Sequence, residues 1–413
     1  LGTCPQGFIL AVPRQKPGKG IGGLTSMKIL TVLTYYRPHT SGLTIYVERL
    51  AKSLVQLGHE VTVLTSQYEK DLPREEIQDG VKIVRAPVLF RVSKGVIMPT
   101  FGWLAWKLAF DNDVIHLHLP QFDAAGVAFR GRLLRIPTVT TYHCDLDLPS
   151  GVFNRIVSPI INIMNSLAGM FSHRIGAYTD DFASNSPYLQ RFAAKVQVIL
   201  PPVNLPEIAQ EEITSFQEEH NPQRKHPIIA MATRFASEKG VEILLNAFPQ
   251  VLDRYPDALI LYAGQYQDVM GEEAYFDRLY PVIKKYQDQG QWEFLGVLDP
   301  AQMAAFYPNL DVLVVPSLNS TETFGLVQIE AMMNGTPTIA SNLPGVRIPS
   351  RMTGMGEVVP IGDSAALAKA LLKIFDNPGN YIGDPDQVTE QFDPLKNARG
   401  YEVMYRQIQE DLK

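Results

Sequence analysis

Short runs of aliphatic and β-branched residues alternate with stretches of helical apolar spacing along almost the whole chain, and they fall into two series. The first series puts strands at Ile29–Leu33, Val61–Thr65, Val81–Arg85, Val114–Leu117, Pro137–Tyr142 and Val196–Leu200, with a helix predicted over Leu43–Leu57. A strand with one wet face writes an alternating pattern, whereas one that is apolar throughout is covered on both faces. The runs therefore predict parallel sheets flanked by helices, an α/β fold of doubly wound sheets. The rhythm stops at Pro201-Pro202-Val203-Asn204-Leu205-Pro206, crosses a polar stretch from Glu211 to His226, and restarts at Ile228–Ala232, Ala258–Ala263, Glu293–Leu295, Asp311–Val315 and Thr336–Ala340. A chain of 413 residues also exceeds one ordinary core. The expected organisation is two domains, 27–204 and 205–396, with a helix at 397–412 returning to the first. Between them lies a cleft at the strand C-terminal edges, where open parallel sheets take their ligands.

Residues 1–26 precede the first strand pattern and are read as a disordered extension. Within them Gly18-Lys19-Gly20-Ile21-Gly22-Gly23 matches a dinucleotide fingerprint letter for letter, but that motif has to follow a strand and this one does not. The same placement argues against a nicotinamide oxidoreductase. A net charge of −6 argues against nucleic acid as a partner. Cys4 and Cys144 are the only cysteines, which excludes a disulfide framework and a cysteine-built zinc site and fits a reducing, cytoplasmic compartment. The longest uncharged stretch, Ile156–Ser172, is broken by proline, asparagines and serines and does not read as a membrane span.

The chemistry concentrates at Thr321-Glu322-Thr323-Phe324-Gly325-Leu326-Val327-Gln328-Ile329-Glu330, entered from the strand ending at Val315. A strand, a short loop and a helix start present two carboxylates, Glu322 and Glu330, with helix N-terminal amides between them. Amides at a helix start hold phosphate oxygens, and carboxylates accept hydrogen bonds from sugar hydroxyls. Arg234 and Lys239 follow the strand ending near Ala232, so both cations are expected at the cleft mouth, where a guanidinium fork and an ammonium grip phosphate in complementary ways. Gly42 opens a helix after Pro38-His39-Thr40-Ser41, and its bare backbone allows a close approach by a ligand. His143 ends a strand beside the cleft. His116 and His118 share one face of another strand; His118 is nearer the strand end and, with Asp123, is expected on the acceptor side, whereas His116 reads as structural.

Together these words resemble the retaining glycosyltransferase family 4, whose fold is GT-B: two Rossmann-like domains facing a cleft. The resemblance rests on Arg234-Phe235-Ala236-Ser237-Glu238-Lys239-Gly240, Phe294-Leu295-Gly296 with Val297 beyond it, the Glu322–Glu330 block, Gly335-Thr336-Pro337, the Ser41-Gly42 loop and Tyr142-His143-Cys144-Asp145. Three departures stand out: Ser41-Gly42 in place of two glycines, Thr233 in place of a glycine before the arginine, and Ile348–Thr353 in place of an acidic run. The resemblance implies transfer of a hexose from a nucleoside diphosphate sugar to an acceptor hydroxyl with retained configuration. It places Ser41, Gly42, Arg234, Lys239, Gly296, Val297, Glu322, Thr323, Phe324, Gly325, Leu326, Val327 and Glu330 around the donor, with Glu322 on the sugar, Glu330 on the ribose and His143, Glu322, Arg234 and Lys239 as the catalytic set. No protein nucleophile is implied; the leaving phosphate serves as base.

No cofactor beyond the co-substrate is expected, and no metal. Asp111-Asn112-Asp113, Asp145-Leu146-Asp147 and Asp384-Pro385-Asp386 all fit a two-aspartate metal pattern, and three matches show how unspecific so short a pattern is. Residues 81–110 carry Lys82, Arg85, Arg91, Lys94 and Lys107 with no acid, beside Phe90, Phe101, Trp103, Trp106 and Phe110. This mixture suits an anionic membrane surface, and equally a helix Phe101–Phe110 packed on the sheet. A membrane surface would favour a lipid-linked acceptor. The rival functions are a nucleotide-sugar 2-epimerase of the same fold and a non-catalytic sugar-nucleotide sensor.

Overall fold

In the computed structural model, which describes residues 26–92, 95–146 and 152–413, the apolar runs are strands because each must bury two faces. Strand β1 (Lys28–Val32) shows why. Ile29 packs with Val47, Leu50 and Leu54 of the helix Gly42–Gln56, while Leu30 and Val32 pack on the opposite face with Phe101, Ala105 and Val127. The strands that follow in the first lobe are β2 (Glu60–Gln67), β3 (Glu75–Gln78), β4 (Val81–Pro87), β5 (Phe90–Val92), β6 (Gly95–Ile97), β7 (Val114–Leu119), β8 (Thr138–Tyr142), β9 (Arg174–Ala177) and β10 (Val196–Val198). Eight of them form one sheet in the order β10-β9-β8-β7-β1-β2-β4-β3, parallel except for the antiparallel edge pair β3–β4, while β5 and β6 make a separate hairpin.

The second lobe contains β11 (Ile228–Ala232), β12 (Leu259–Ala263), β13 (Trp292–Gly296), β14 (Val312–Val315), β15 (Thr338–Ser341) and β16 (Gly356–Val359) in the order β13-β12-β11-β14-β15-β16, with parallel pairing throughout. Strand order reverses between β1 and β7 in one sheet and between β11 and β14 in the other. Those two switch points open the crevices in which such sheets bind ligands. The residues singled out above sit at the ends of β1, β7, β8, β11, β13 and β14 or in the loops and helix starts that follow them.

Strands β3, β9 and β16 left no legible signal. Ile77 of β3 is 75% exposed on a sheet edge, and β9 and β16 are four residues each, too short for a pattern to stand out. The polar stretch after the joint is a helix, Gln210–His220, anchored by Phe216 against Phe306. The joint itself is packed: Val203 is buried and its amide donates to the Phe392 carbonyl (2.9 Å). The C-terminal helix starts at Pro394, ends at Asp411 and lies on the first lobe, where Tyr401 meets Tyr46 and Thr141 and Tyr405 meets His116. One apolar cluster joins Phe324, Ile329 and Met332 of the second lobe to Tyr178 and Tyr401 of the first and its returning helix, so the lobes meet at the base of the cleft.

Candidate active site

The donor-side loop is set by backbone geometry. Gly240 has φ 69°, and a Cβ there would lie 2.2 Å from the Pro316 carbonyl oxygen, so only glycine lets the turn Ser237–Lys239 close on the end of β14. That closure brings Lys239 Nζ to 2.8 Å from Glu322 Oε2. The other oxygen of Glu322 accepts from the Gly325 amide at 3.0 Å, just ahead of the helix Leu326–Met332. Glu322 and Lys239 are thus a fixed, largely buried pair at the start of a helical turn whose first amides have no intrahelical acceptor. Gly325 itself sits at φ 74°, which re-aims the chain into that helix.

Arg234 pairs with Glu238 and stays 45% exposed. Burial pushes the Glu238 carboxyl up, but the charge of Arg234, a backbone hydrogen bond and the charge of Lys239 together hold it below the usual carboxylate range. Across the cleft His39 is held below the ordinary imidazole value first by burial and then by Arg234. The charge of the guanidinium is thus felt by the first-lobe loop that leads to Ser41 and Gly42. Ser41 caps the helix Gly42–Gln56, its hydroxyl accepting from the Thr44 amide (3.2 Å), so its side chain is spent on the backbone. A Cβ on Gly42 would meet nothing within 4 Å, and the same holds for Gly296, with Val297 next to it 64% exposed.

Glu330 is 6% exposed and has one partner at each oxygen: Oε1 accepts from Arg49 Nη2 of the first lobe (2.7 Å) and Oε2 from the Tyr307 hydroxyl (2.7 Å). Arg49 and Tyr307 carried no sequence signal as a pair, although Arg49 lies two helical turns after Gly42 and so on the same helix face. Two further ties cross between the lobes. Thr323 Oγ1 donates to the His143 carbonyl (2.5 Å), which occupies that hydroxyl with a backbone contact. Arg347 grips Asp181 with two nitrogens (2.9 and 2.6 Å) while the Gly345 amide adds a third bond (2.8 Å). Burial raises the Asp181 carboxyl, and the bonds from Arg347 and the Gly345 amide together with the charges of Arg347 and Arg351 more than reverse this. Phe324 lies in the apolar base of the cleft, and Leu326 and Val327 open the helix above it.

The histidines differ from their expected placement. The His143 ring is buried with both nitrogens in use: Nε2 shares a hydrogen bond with His118 Nδ1 (2.9 Å) and Nδ1 one with the Tyr178 hydroxyl. It reaches the cleft through its carbonyl, so a ring contact with the sugar is not what this conformation offers. His118, expected on the acceptor side, is 1% exposed and sits in the core beside Tyr46 and His116. Strand alternation correctly put His116 and His118 on one face, but that face looks onto the helix Gly42–Gln56 and the C-terminal helix, whose return to the first domain was expected without the face it would cover. His116 bonds Thr141 and Tyr405 (2.7 Å each). Burial drives His116 and His143 down to about 3 and His118 well below its ordinary value. Asp123 stands outside this cluster at the start of the helix Ala124–Leu133 without capping it, and burial pushes its carboxyl up to about 6. The Cys144 thiol, raised to about 12 chiefly by burial, is no nucleophile.

The three two-aspartate matches have structural tasks. Asp113 accepts from the Lys28 amide (2.8 Å), Asp145 from Ser186 (2.7 Å) and Tyr142 (3.0 Å), and Asp384 from the Gln387 amide (3.0 Å); Asp147 lies outside the described residues. Among the described residues no three His, Cys, Asp or Glu side chains converge as a metal site. Residues 1–25, including the fingerprint look-alike, also lie outside.

Two parallel-sheet α/β domains that meet across a cleft make the GT-B architecture of glycosyltransferases. The chain belongs to glycosyltransferase family 4: the description "Glycosyltransferase Family 4" matches residues 40–205 and "Glycosyl transferases group 1" matches residues 212–390. Its relatives include an uncharacterized glycosyltransferase of Methanocaldococcus jannaschii, 28% identical over 78% of this chain and 82% of that protein. A phosphatidyl-myo-inositol mannosyltransferase of Mycobacterium leprae is 26% identical over 85% of this chain and 88% of its own length. Among solved structures, sucrose-phosphate synthase from Thermosynechococcus elongatus superposes with a TM-score of 0.74 at 22% identity, covering 93% of this chain and all (100%) of that one. Anabaena HepE with bound UDP gives a TM-score of 0.72 at 17% identity over 92% of this chain and 100% of its own.

Proposed function

We propose that this glycosyltransferase moves a hexose from a nucleoside diphosphate sugar to an acceptor hydroxyl with retention of configuration and without a metal ion. The observation that carries the reading is the Lys239–Glu322 pair at 2.8 Å, with the charge of Arg234 felt by the opposite lobe. The costly event in such a transfer is departure of the diphosphate, which gathers negative charge while the sugar becomes oxocarbenium-like. Lys239, Arg234 and the amides of Phe324, Leu326 and Val327 neutralise that charge, while the Gly325 amide stays on Glu322. Entry of the diphosphate takes Lys239 over from Glu322, and the freed carboxylate oxygen turns to the sugar hydroxyls. With both His143 nitrogens committed inside the first lobe, His143 contributes through its carbonyl to the placement of the Thr323 loop. The leaving phosphate accepts the acceptor's proton.

The acceptor is proposed to be lipid-linked and the protein a peripheral one on the cytoplasmic side of a membrane. The helix Phe101–Phe110 packs inward through Phe101, Ala105 and Ala109 and turns Trp103 (64% exposed) and Phe110 (61%) outward. Lys107 lies over Trp103 and Arg130 over Trp106, and Phe129 and Leu133 of the adjoining helix are also exposed. The basic set is smaller than its sequence suggests, because Arg85 is buried, bonded to Glu76 and to the carbonyls of Pro73 and Arg37; Lys94 lies outside the described residues. No helix among the described residues is long and apolar enough to cross a membrane.

A thermal-shift panel of UDP, GDP and ADP sugars, followed by transfer assays with the stabilising donor, tests the core of this reading. Product with an inverted anomeric centre, donor interconversion without an acceptor, or activity abolished by excess chelator and restored by magnesium or manganese each overturns the corresponding element. Absence of co-flotation with anionic liposomes removes the membrane element.

A further inference from the structure

We infer that Arg49, a first-lobe residue, is a positioning residue for recognition of the donor's ribose diol, acting by fixing the plane of the Glu330 carboxylate. The inference rests on the proposed reading in which Glu330 meets the ribose. Glu330 projects from the helix Leu326–Met332, whose Ile329, Ala331 and Met332 are fully buried, so its own backbone has no room to adjust. Its side chain, by contrast, has three torsions, and the Tyr307 hydroxyl holds only Oε2. One bond lets the carboxylate pivot about that oxygen; the second bond, from Arg49 to Oε1, stops the pivot.

Arg49 is itself held. Nη2 donates to the Asn204 carbonyl (2.8 Å) as well as to Glu330, and Nη1 reaches the Pro202 carbonyl (3.4 Å). The planar guanidinium therefore takes its orientation from the interlobe joint and passes it to the carboxylate. A lysine ammonium is a point charge on a flexible stem and has no such plane to transmit. An ionised carboxylate has about four acceptor sites, of which Arg49 and Tyr307 use two; the remaining pair matches the two hydroxyls of a ribose. The carboxylate thus stays ready to accept from a cis-diol only while the lobes sit as they do here, which ties nucleotide recognition to the joint.

The test is calorimetric titration of the intact protein with UDP, GDP and ADP and with dUDP, dGDP and dADP. For the base that binds, wild type is expected to favour the ribo form by about tenfold or more, the loss that follows when a charged acceptor forfeits a hydroxyl. Arg49→Met is expected to bring that ratio close to one while leaving the deoxy form's affinity within about threefold; a purely structural role would weaken both forms alike. Glu330→Gln separates the outcomes. If the ratio collapses in Glu330→Gln but survives in Arg49→Met, the inference about Arg49 is overturned and the ribose reading stands. If wild type shows no ribo preference, the ribose reading fails and takes the inference with it. Should Arg49→Met not fold, Arg49→Lys carries the test: it keeps the charge but has no planar fork held by both Pro202 and Asn204 to fix the carboxylate's plane, so a reduced ratio is expected and an unchanged one overturns the inference.

Discussion

Acidification strikes this fold through its buried imidazoles. His116 and His143 have folded-state values of about 3 against an ordinary 6.5, because burial disfavours the charged ring and, for His116, a second imidazole lies close by. The unfolded chain therefore binds more protons than the folded one between pH 6.5 and 3, so stability falls as pH falls through that window. Going from pH 7.5 to 5 costs about 2 kcal/mol for each of the two, or ~4 kcal/mol together. His118, shifted the same way, adds to the loss. Asp123 works against it: its carboxyl is raised from 3.8 to about 6, so the penalty for keeping it ionised eases as pH drops. Over the same interval that returns about 1.4 kcal/mol, leaving a loss of roughly 3 kcal/mol from these groups; Asp145 and Asp311, also raised by burial, return more, while His39, His59 and His173, lowered by burial, add to the loss. Urea unfolding followed by fluorescence at pH 7.5, 6.5, 5.5 and 5.0 measures it, and His116→Gln is expected to flatten the slope. A stability that is level or rises towards pH 5 refutes the placement of neutral histidines in the core.

Gly240→Ala forces a Cβ against the Pro316 carbonyl at a positive φ; a loss of about 2–4 kcal/mol and a rise in donor KM are expected from urea unfolding and steady-state kinetics, because Lys239 moves with the turn. Lys239→Ala is expected to lower kcat by about 100-fold or more with a smaller change in KM, the signature of charge stabilisation that matters most in the transition state. Equal rates in the two proteins would remove Lys239 from the chemistry. Asp181→Ala breaks three bonds between the lobes, at a cost of about 2 kcal/mol, and should raise the radius of gyration in small-angle scattering if this clamp restrains opening.

Much of the donor side was legible because it is written locally. Arg234, Lys239 and Glu322 lie within one loop of a strand end, and period and loop length alone carry them to the same edge of the sheet. Glu322 meets Lys239 because β11 and β14 are neighbours, an adjacency that the doubly wound rule makes natural. The acceptor side was much less legible. His118 and His143 occupy strand ends as read, yet whether such residues line a cleft or fill a core depends on what covers the sheet face, and here a helix from the far end of the chain covers it.

The sequence by itself determined the strand–helix rhythm, the division near 201–206, the glycines that allow close turns and the charged residues next to the donor edge, since each depends on neighbours along the chain. Only the tertiary structure decided the partners of Glu330, the clamp from Asp181 to Arg347 and the sealing of the histidines. The pairs Arg49–Glu330, Asp181–Arg347 and His116–Tyr405 are 281, 166 and 289 positions apart, and no local spacing encodes which distant side chain will share a buried charge or a buried ring nitrogen.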